Sequence, residues 1–220
     1  MFFRYFTFIL LSLFLSSCTS MKLDQTYESR AKKSSRKFTP VVVIDPGHGG
    51  FDLGAHTNFC EEKEACLRTA HYLRRHLEKR GYRVIMTRNR DEYLPLKTRA
   101  KIANDAKCQV LVSLHYNAAQ SSKAHGLEVF YFPKAEPWRK KRSKQLAAIL
   151  LDKLLTQTGA LSRGVKEGNF CVIRETDMPS VLVEGGFITN EIEQKKIKDD
   201  RYLNKIAVAI ANGLDHYFDS

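Results

Sequence analysis

The sequence predicts an α/β domain built on a mainly parallel β-sheet, and two observations carry that prediction. Short apolar runs that end in turn residues alternate along the chain with longer amphipathic segments of helical period. Strands that alternate with helices are typical of parallel sheets, because a parallel connection needs a crossover segment that a helix can supply. The length of 220 residues and the ordinary composition suit one folded domain.

The first predicted strand and the first predicted helix have the clearest signals. Val41 to Ile44 form a β-branched run that stops at the turn residues of "DPGHGG", which predicts a buried strand at 41–45. In "CLRTAHYLRRHLEKRG" the apolar residues recur on one helical face and Gly81 ends the segment. We therefore expect a helix at about 62–80.

The later elements repeat the same alternation. The segment "KQLAAILLDKLLTQTG" predicts a helix that ends at Gly159, because its apolar residues also recur at helical spacing. Apolar runs bounded by turn residues predict the strands. In chain order the remaining elements are a strand at 82–88, a helix at about 95–105, strands at 109–115 and 127–132, a helix at about 140–158, short strands near 170–174 and 180–184, and a last helix at about 200–218.

The N-terminus predicts export. "MFFRYFTFILLSLFLSSC" places one basic residue before an apolar run that is too short to span a bilayer and suits a signal peptide. Its ending, "LSSC", resembles a bacterial lipobox, which implies that Cys18 is lipidated and becomes the new N-terminus. We therefore expect a lipoprotein-type signal peptide at 1–18, a flexible basic tether at 19–40 and a folded domain at 41–220. An ordinary signal peptide or an uncleaved anchor is the alternative.

The charge and the cysteines limit the classes of partner and site. The formal net charge of +12 favours an anionic partner. For an exported protein we expect a cell-wall polymer or lipid headgroups and exclude nucleic acid. Beyond Cys18 the chain has four cysteines, and the sequence allows them to form either disulfides or free thiols. Their spacing does not fit a zinc site made of cysteines. Buried free thiols are the simpler interpretation for Cys108 and Cys171.

Chemically active side chains follow three of the predicted strands. His48, His115 and Glu184 each stand at the end of an apolar run, and a carboxylate there is costly unless it has a partner. The first helix begins with Glu61, Glu62 and Glu64, any of which could join the histidines. Two histidines and one carboxylate with an open fourth position form a catalytic zinc pattern, and a further carboxylate must then move the proton. The short motif H-E-x-x-H is absent.

Four segments together resemble the zinc-dependent N-acetylmuramoyl-L-alanine amidases, which are bacterial cell-wall hydrolases. They occur in the family's order from about residue 41 to the C-terminus. The segments are "VVVIDPGHGGFDLGA", "EKEACLRTAHYLRRHLEKRGYRVIMTRNRDEYLPLKTRAKIAN", "VLVSLHYNAA" and "MPSVLVEGGFITN".

The resemblance implies a single domain whose twisted sheet is flanked by helices on both faces. It implies one zinc ion held by His48, Glu62 and His115, with Glu184 as the catalytic glutamate. Glu62 is chosen because the family's acidic ligand directly precedes a lysine and stands five residues before the first leucine of the helix. Glu61 and Glu64 are the alternative candidates for this ligand. Asn117 and Arg99 lie in matching segments without an assigned role, and Asp45 is expected to support the turn rather than to act in catalysis.

The resemblance also implies the reaction and its setting. The expected reaction is hydrolysis of the amide between N-acetylmuramic acid and L-alanine in peptidoglycan or its lipid-linked precursor, for cell-wall remodelling or daughter-cell separation. We expect the enzyme in the periplasm, attached to a membrane through its lipid anchor. Some family members carry a long inserted helix that blocks the site until an activator protein binds. The segment after the strand at 127–132 has room for one helix and a loop, which predicts a site that is open without a partner.

Three other classes of protein share single features with the chain. "HGGF" resembles the oxyanion loop of α/β-hydrolases, but no G-x-S-x-G turn follows a strand. "SSRK" fits the S-x-x-K motif of penicillin-binding enzymes, but it lies in the predicted tether and no "KTG" is present. A wall-binding lipoprotein that keeps the fold without catalysis would be expected to lack a ligand or the base, and all four positions are filled here.

Overall fold

The computed structural model describes residues 39–58 and 60–220. The predicted signal peptide, Cys18 and the tether up to residue 38 lie outside the described residues. The strands are β1 (Val41–Pro46), β2 (His56–Thr57), β3 (Cys60–Glu61), β4 (Arg83–Met86), β5 (Val110–Asn117), β6 (Leu127–Tyr131), β7 (Ser162–Glu167) and β8 (Ser180–Phe187). The helices are α1 (Glu62–Lys79), α2 (Leu96–Asp105), α3 (Pro137–Thr158), α4 (Cys171–Arg174), α5 (Glu191–Lys198) and α6 (Asp200–Phe218).

Six of the strands form one sheet in the order β4-β1-β5-β8-β6-β7. Every neighbouring pair is parallel except β8 and β6, which run antiparallel. The register places His115 of β5 beside Glu184 of β8 and places Glu128 of β6 on the other side of Glu184. The carboxyl ends of β1, β5 and β8 therefore share one edge of the sheet with the beginning of β6.

Helices cover both faces of the sheet, because successive strand residues point to opposite faces. On one face, α1, α3 and α6 bury residues such as Leu73, Leu150 and Ile210 in the larger apolar cluster. On the other face, α2 and α4 pack against a smaller cluster that includes Val43 and Leu111. The prediction of a mainly parallel α/β sheet with helices on both faces is confirmed.

Two elements correct the sequence prediction. The segment near 170–174 is the short helix α4 rather than a strand, and its adjacent residues Val172 and Ile173 are both buried in the smaller cluster. Neighbouring residues of a strand would face opposite sides, whereas neighbours in a helical turn can share one side. The edge strand β7 was missed because its sequence, "SRGVKE", lacks apolar alternation.

The remaining differences are small. The helix predicted from about 140 begins at Pro137, a residue that suits the first helical turn. Helix α5 and the hairpin of β2 and β3 were not predicted, and the Asn190 side chain caps α5 by accepting from the backbone N–H groups of Ile192 and Glu193. Among the helices of residues 39–58 and 60–220, none combines the length and the apolar character needed to cross a membrane.

Candidate metal centre

Three side chains from distant parts of the chain meet at the carboxyl edge of the sheet. His48 follows β1, His115 lies near the end of β5 and Glu62 is the first residue of α1. One potential ligand atom from each of them lies within 4.8 Å of the others. The two imidazole rings meet edge to face, with their centroids 4.9 Å apart. The structure thus brings together the three residues that the sequence suggested as metal ligands.

Glu62 is the centre of this group. Its Oε1 lies 2.8 Å from Nδ1 of His115, and its Oε2 lies 3.1 Å from Nε2 of His48. The backbone N–H groups of Ala55 and Tyr116 also donate to this carboxylate. Burial alone would raise the pKa of Glu62, but the hydrogen bonds from His115 and His48 hold that pKa well below its usual range. The carboxylate is therefore ionised and fixed in orientation.

The other two acids at the start of α1 do not join the histidines. Glu61 faces Lys63, whose Nζ lies 3.5 Å from the carboxylate, and Glu64 is exposed. Glu62 is thus the residue of the three that faces His48 and His115. The geometry agrees with the assignment that the resemblance implied.

Asp52 orients His48 from the side opposite Glu62. Its Oδ1 lies 2.9 Å from Nδ1 of His48 and also accepts from the backbone N–H of Gly54. Burial alone would lower the pKa of His48, but hydrogen bonds to Glu62 and then Asp52 raise it. A carboxylate on one ring nitrogen fixes the tautomer, so that the other nitrogen is directed to a metal. Asp52 was missed by sequence reasoning, although it stands four residues after His48.

Two glycines leave room for the three side chains. A Cβ at Gly47 would lie 2.3 Å from Cε1 of His115, and a Cβ at Gly54 would lie 2.5 Å from Oε2 of Glu62. Gly54 also has a φ of +67°, which L side chains rarely adopt. The glycine-rich turn predicted from sequence is therefore needed for the close approach of the histidines and the glutamate.

Gly47→Ala should disturb the site with little effect on the rest of the fold. The added methyl group would overlap the His115 ring and push it away from Glu62. We expect the affinity for Co²⁺ to fall at least about tenfold, as it does when the surroundings of a metal ligand are altered. Absorption spectroscopy on the full-length protein measures this affinity. Gly213→Ala on α6 is the control, because its methyl group would also overlap a buried side chain, that of Leu150, which is not one of the grouped ligands. Equal affinity in the two variants would contradict the steric argument.

Two buried arginines hold the turn that carries His48. Arg99 forms an ion pair with Asp45 at 3.1 Å and donates to the carbonyls of Pro46 and His48, both at 2.6 Å. Arg88 donates to the carbonyls of Pro46 and Gly47. Asp45 also accepts from the hydroxyls of Thr87 and Ser113. As expected from the sequence, Asp45 supports the turn, and Arg99 now has a structural role there.

Glu184 lies beside His115 on the neighbouring strand. Its Oε2 is buried and has no hydrogen-bond partner among residues 39–58 and 60–220. Burial, followed by the nearby carboxylates of Glu62 and Glu128, raises its pKa well above the usual value. A buried carboxyl group with an unsatisfied oxygen next to a possible metal site is suited to proton transfer.

Glu128, the other neighbour of Glu184, is held by several donors. Asn117 donates from its amide at 2.7 Å, while Arg163 and Lys166 pair with Oε2 at 2.9 and 2.5 Å. Asn117 therefore positions this carboxylate, a role that the sequence did not reveal. Because β7 was not predicted, the two cations on it were also missed.

The described cysteines, Cys60, Cys66, Cys108 and Cys171, are all free thiols. Burial raises the pKa of the Cys66 thiol and raises that of Cys108 to about 11. Cys108 is buried as expected, whereas Cys171 is half-buried at the start of α4. The two cysteines that bracket Glu62 in sequence do not form a disulfide in the described part of the chain.

Sequence comparison connects this geometry to a protein family. Residues 42–216 match the family model described as N-acetylmuramoyl-L-alanine amidase. The chain is 37% identical over 184 residues to the probable cell wall amidase LytH of Staphylococcus aureus, a match that covers 82% of this chain. It spans 59% of the length of LytH.

Solved structures give the same result. The crystal structure of an N-acetylmuramoyl-L-alanine amidase from Clostridium difficile 630 is 38% identical, with a TM-score of 0.79 over 83% of this chain and 98% of that one. The CwlD amidase of Clostridioides difficile, solved in complex with the GerS lipoprotein, is 31% identical, with a TM-score of 0.77 over 82% of this chain and 99% of CwlD.

Proposed function

Because the chain belongs to the N-acetylmuramoyl-L-alanine amidase family, we propose that it uses zinc to hydrolyse the amide between N-acetylmuramic acid and L-alanine in peptidoglycan. The observation that carries this proposal is the position of Glu184. It lies in register with His115, one of three grouped candidate ligands, and its Oε2 has no hydrogen-bond partner in the described part of the chain. Candidate ligands and an available carboxyl group are the components of a metal-assisted hydrolase.

The donor set fits zinc. Two imidazole nitrogens and one carboxylate oxygen form a known set of protein ligands in catalytic zinc sites, which leave the fourth position open. The ring of His48 is oriented by Asp52, as is usual for metal-bound histidines. When bound, zinc would lower the pKa of a water molecule and polarise the carbonyl of the scissile amide.

The protein's own residues account for the remaining chemistry. Glu184 takes a proton onto Oε2 from the attacking water and returns one to the nitrogen of the leaving L-alanine, so the carboxyl group ends in its starting state. Oε2 has no other hydrogen-bond partner among the described residues, so it is available for both steps. Glu62 and Asp52 keep the histidines in place, so the reaction does not require their reorientation.

Access to the site supports activity without a partner. The side chains of His48 and His115 are 22% and 18% exposed, whereas Glu62 is only 6% exposed. Helix α3 packs its buried leucines against the sheet and α6. We therefore propose that the substrate can reach the histidines without displacement of a blocking helix.

The setting follows from the N-terminal sequence and from the relatives. We propose export to the periplasm, a lipid anchor at Cys18, and action on peptidoglycan or its lipid-linked precursor during wall remodelling or daughter-cell separation. The similarity to LytH, a probable cell wall amidase, supports a cell-wall location. CwlD was solved in complex with a lipoprotein, which supports an activator protein as a further partner that would raise the activity without being required for it.

Metal analysis and product analysis test the proposal together. The full-length wild-type protein should hold one zinc ion per chain and release, from purified cell wall, peptides with a free L-alanine amine. His115→Ala should lose the metal and at least about 99% of the activity, because the ligand set falls below three. His216→Ala, which alters an exposed histidine on α6, is the matched control and should retain both. Zinc-independent peptide release would contradict the proposed mechanism.

A further inference from the structure

A stacked aromatic pair stands exposed beside the candidate site. Phe51 is 79% exposed and Tyr93 is 42% exposed, and their rings stack with centroids 4.2 Å apart and an interplanar angle of 29°. We call Phe51 and Tyr93 the aromatic platform. A stacked pair of exposed rings offers a flat apolar face on which a ligand can pack.

Hydrogen bonds hold the backbone of the turn that carries Phe51. Phe51 lies at the tip of a turn in which Gly49 and Asp52 exchange two backbone hydrogen bonds, at 2.9 and 3.2 Å. Asp91 accepts from the backbone N–H of Gly50, and Lys63 bridges the Gly50 carbonyl and Asp91. A ring that is ordered before binding loses little entropy when a ligand stacks on it.

The same turn carries the groups of the candidate metal centre. His48 precedes Phe51 by three residues, a span of at most about 11 Å, and Asp52 follows it directly. The Cα of Phe51 therefore lies within about 11 Å of that of His48, a distance that one substrate can span.

The strand order gives the site two chemically different ends. Tyr93 follows β4 and His48 follows β1, whereas Glu128, Arg163 and Lys166 lie on β6 and β7 beyond Glu184. At the far end, two cations share one carboxylate, so the three side chains carry a surplus positive charge. At the platform, Lys63 pairs with both Asp91 and Glu61, and Arg90 pairs with Glu92, so these side chains carry no surplus positive charge.

This asymmetry matches the two sides of the proposed scissile bond. The glycan side is neutral and presents the apolar C–H faces of its sugar rings, which suit stacking on an aromatic ring. The stem peptide carries carboxylates, which suit the cationic end. We propose that the aromatic platform is a sugar-stacking subsite for the glycan strand, with the stem peptide directed towards Arg163 and Lys166. This inference rests on the proposed function.

Substrates that differ only in glycan length test the platform. One carries a single N-acetylmuramic acid, the other carries several disaccharides, and both bear the same peptide. For the full-length protein, Phe51→Ala should lower kcat/KM about five- to tenfold on the long substrate, mainly through KM, and less than about twofold on the short one, since aromatic contacts contribute on this scale. Phe51→Trp should retain the preference for the long substrate.

Trp138→Ala provides the matched control. Trp138 is also an exposed aromatic residue, at 56%, but it follows the end of β6 and therefore lies at the opposite edge of the sheet. Its removal should leave the dependence on glycan length unchanged. An equal loss on both substrates in Phe51→Ala would show a role in holding the turn and would overturn the subsite.

A binding measurement separates failure of the subsite from failure of the proposed function. The full-length Glu184→Gln variant is titrated with a neutral N-acetylglucosamine oligomer, with and without Phe51→Ala. If Phe51→Ala weakens binding of the oligomer, the platform is supported, whatever the activity of the wild type. Absence of hydrolysis of wall substrate by the wild type would then reject only the proposed reaction. If the proteins with and without Phe51→Ala bind the oligomer equally, the platform is overturned. The platform is also overturned if Phe51→Ala weakens binding only to vesicles of phosphatidylethanolamine and phosphatidylglycerol, because that result would indicate a membrane contact.

Discussion

Glu184→Gln should lower kcat on cell-wall substrate by about 10²- to 10⁴-fold, the usual contribution of a general acid–base residue. The amide fills nearly the same volume but cannot take up the proton of the attacking water. The metal content should remain that of the wild type, because Glu184 is not among the grouped ligand atoms. Rate measurements on the full-length protein, together with metal analysis, check both statements.

The stability of the same variant distinguishes a catalytic role from a structural one. Oε2 of Glu184 has no hydrogen-bond partner in the described residues, and the side chain lies near the carboxylates of Glu62 and Glu128. Its replacement by a neutral amide should therefore leave the free energy of unfolding unchanged or increase it. Glu64→Gln, at an exposed position of α1, serves as the control for activity. A kcat within threefold of the wild type would remove Glu184 from the mechanism.

Arg99→Ala should cost about 3–5 kcal/mol of the free energy of unfolding, because it leaves the Asp45 carboxylate buried without its ion-pair partner. Arg99 and Asp45 are 2% and 1% exposed, so bulk solvent does not screen the carboxylate that loses its partner. The carbonyls of Pro46 and His48 also lose their donors. Urea unfolding of the full-length protein measures the change, and metal affinity should fall as the turn that carries His48 loosens.

An exposed pair on the same helix gives the comparison for Arg99. Lys101 and Asp105 are 71% and 65% exposed, and Lys101→Ala should cost less than about 1 kcal/mol. The double variant Arg99→Ala/Asp45→Asn keeps the test open if Arg99→Ala does not fold. It should recover part of the lost free energy of unfolding, because no unpaired charge then remains in the core. A double variant that is less stable than Arg99→Ala alone would contradict the explanation by charge pairing.

The strand-end residues could be predicted because their signals are local. An apolar run that stops at a histidine or a glutamate can be seen in the sequence, and parallel strands bring their carboxyl ends to one edge. The grouping of His48 and His115 at this edge, with Glu184 beside them, agrees with the prediction. Whether the three candidate ligands hold zinc remains a prediction.

The supporting residues could not be predicted because their partners are fixed only by the tertiary fold. Nothing in the local sequence shows that Arg88 donates to Gly47, or that Asn117 donates to Glu128 on another strand. Three acids begin α1, and the resemblance selected Glu62 among them; the backbone donors of Ala55 and Tyr116 that hold its carboxylate are visible only in the fold. The edge strand β7 has little apolar surface to bury and so leaves no periodic signal.

The arrangement of the sheet also determines when in folding the active groups can come together. β5 stands between β1 and β8, so His48 and Glu184 take their places on either side of His115 only after pairings between strands far apart in sequence. Such long-range pairing is slow compared with helix formation. A nascent or unfolded chain therefore lacks the assembled site, and a fragment that ends before β8 lacks Glu184 altogether. The topology thus delays assembly of the active groups until β1, β5 and β8 have paired.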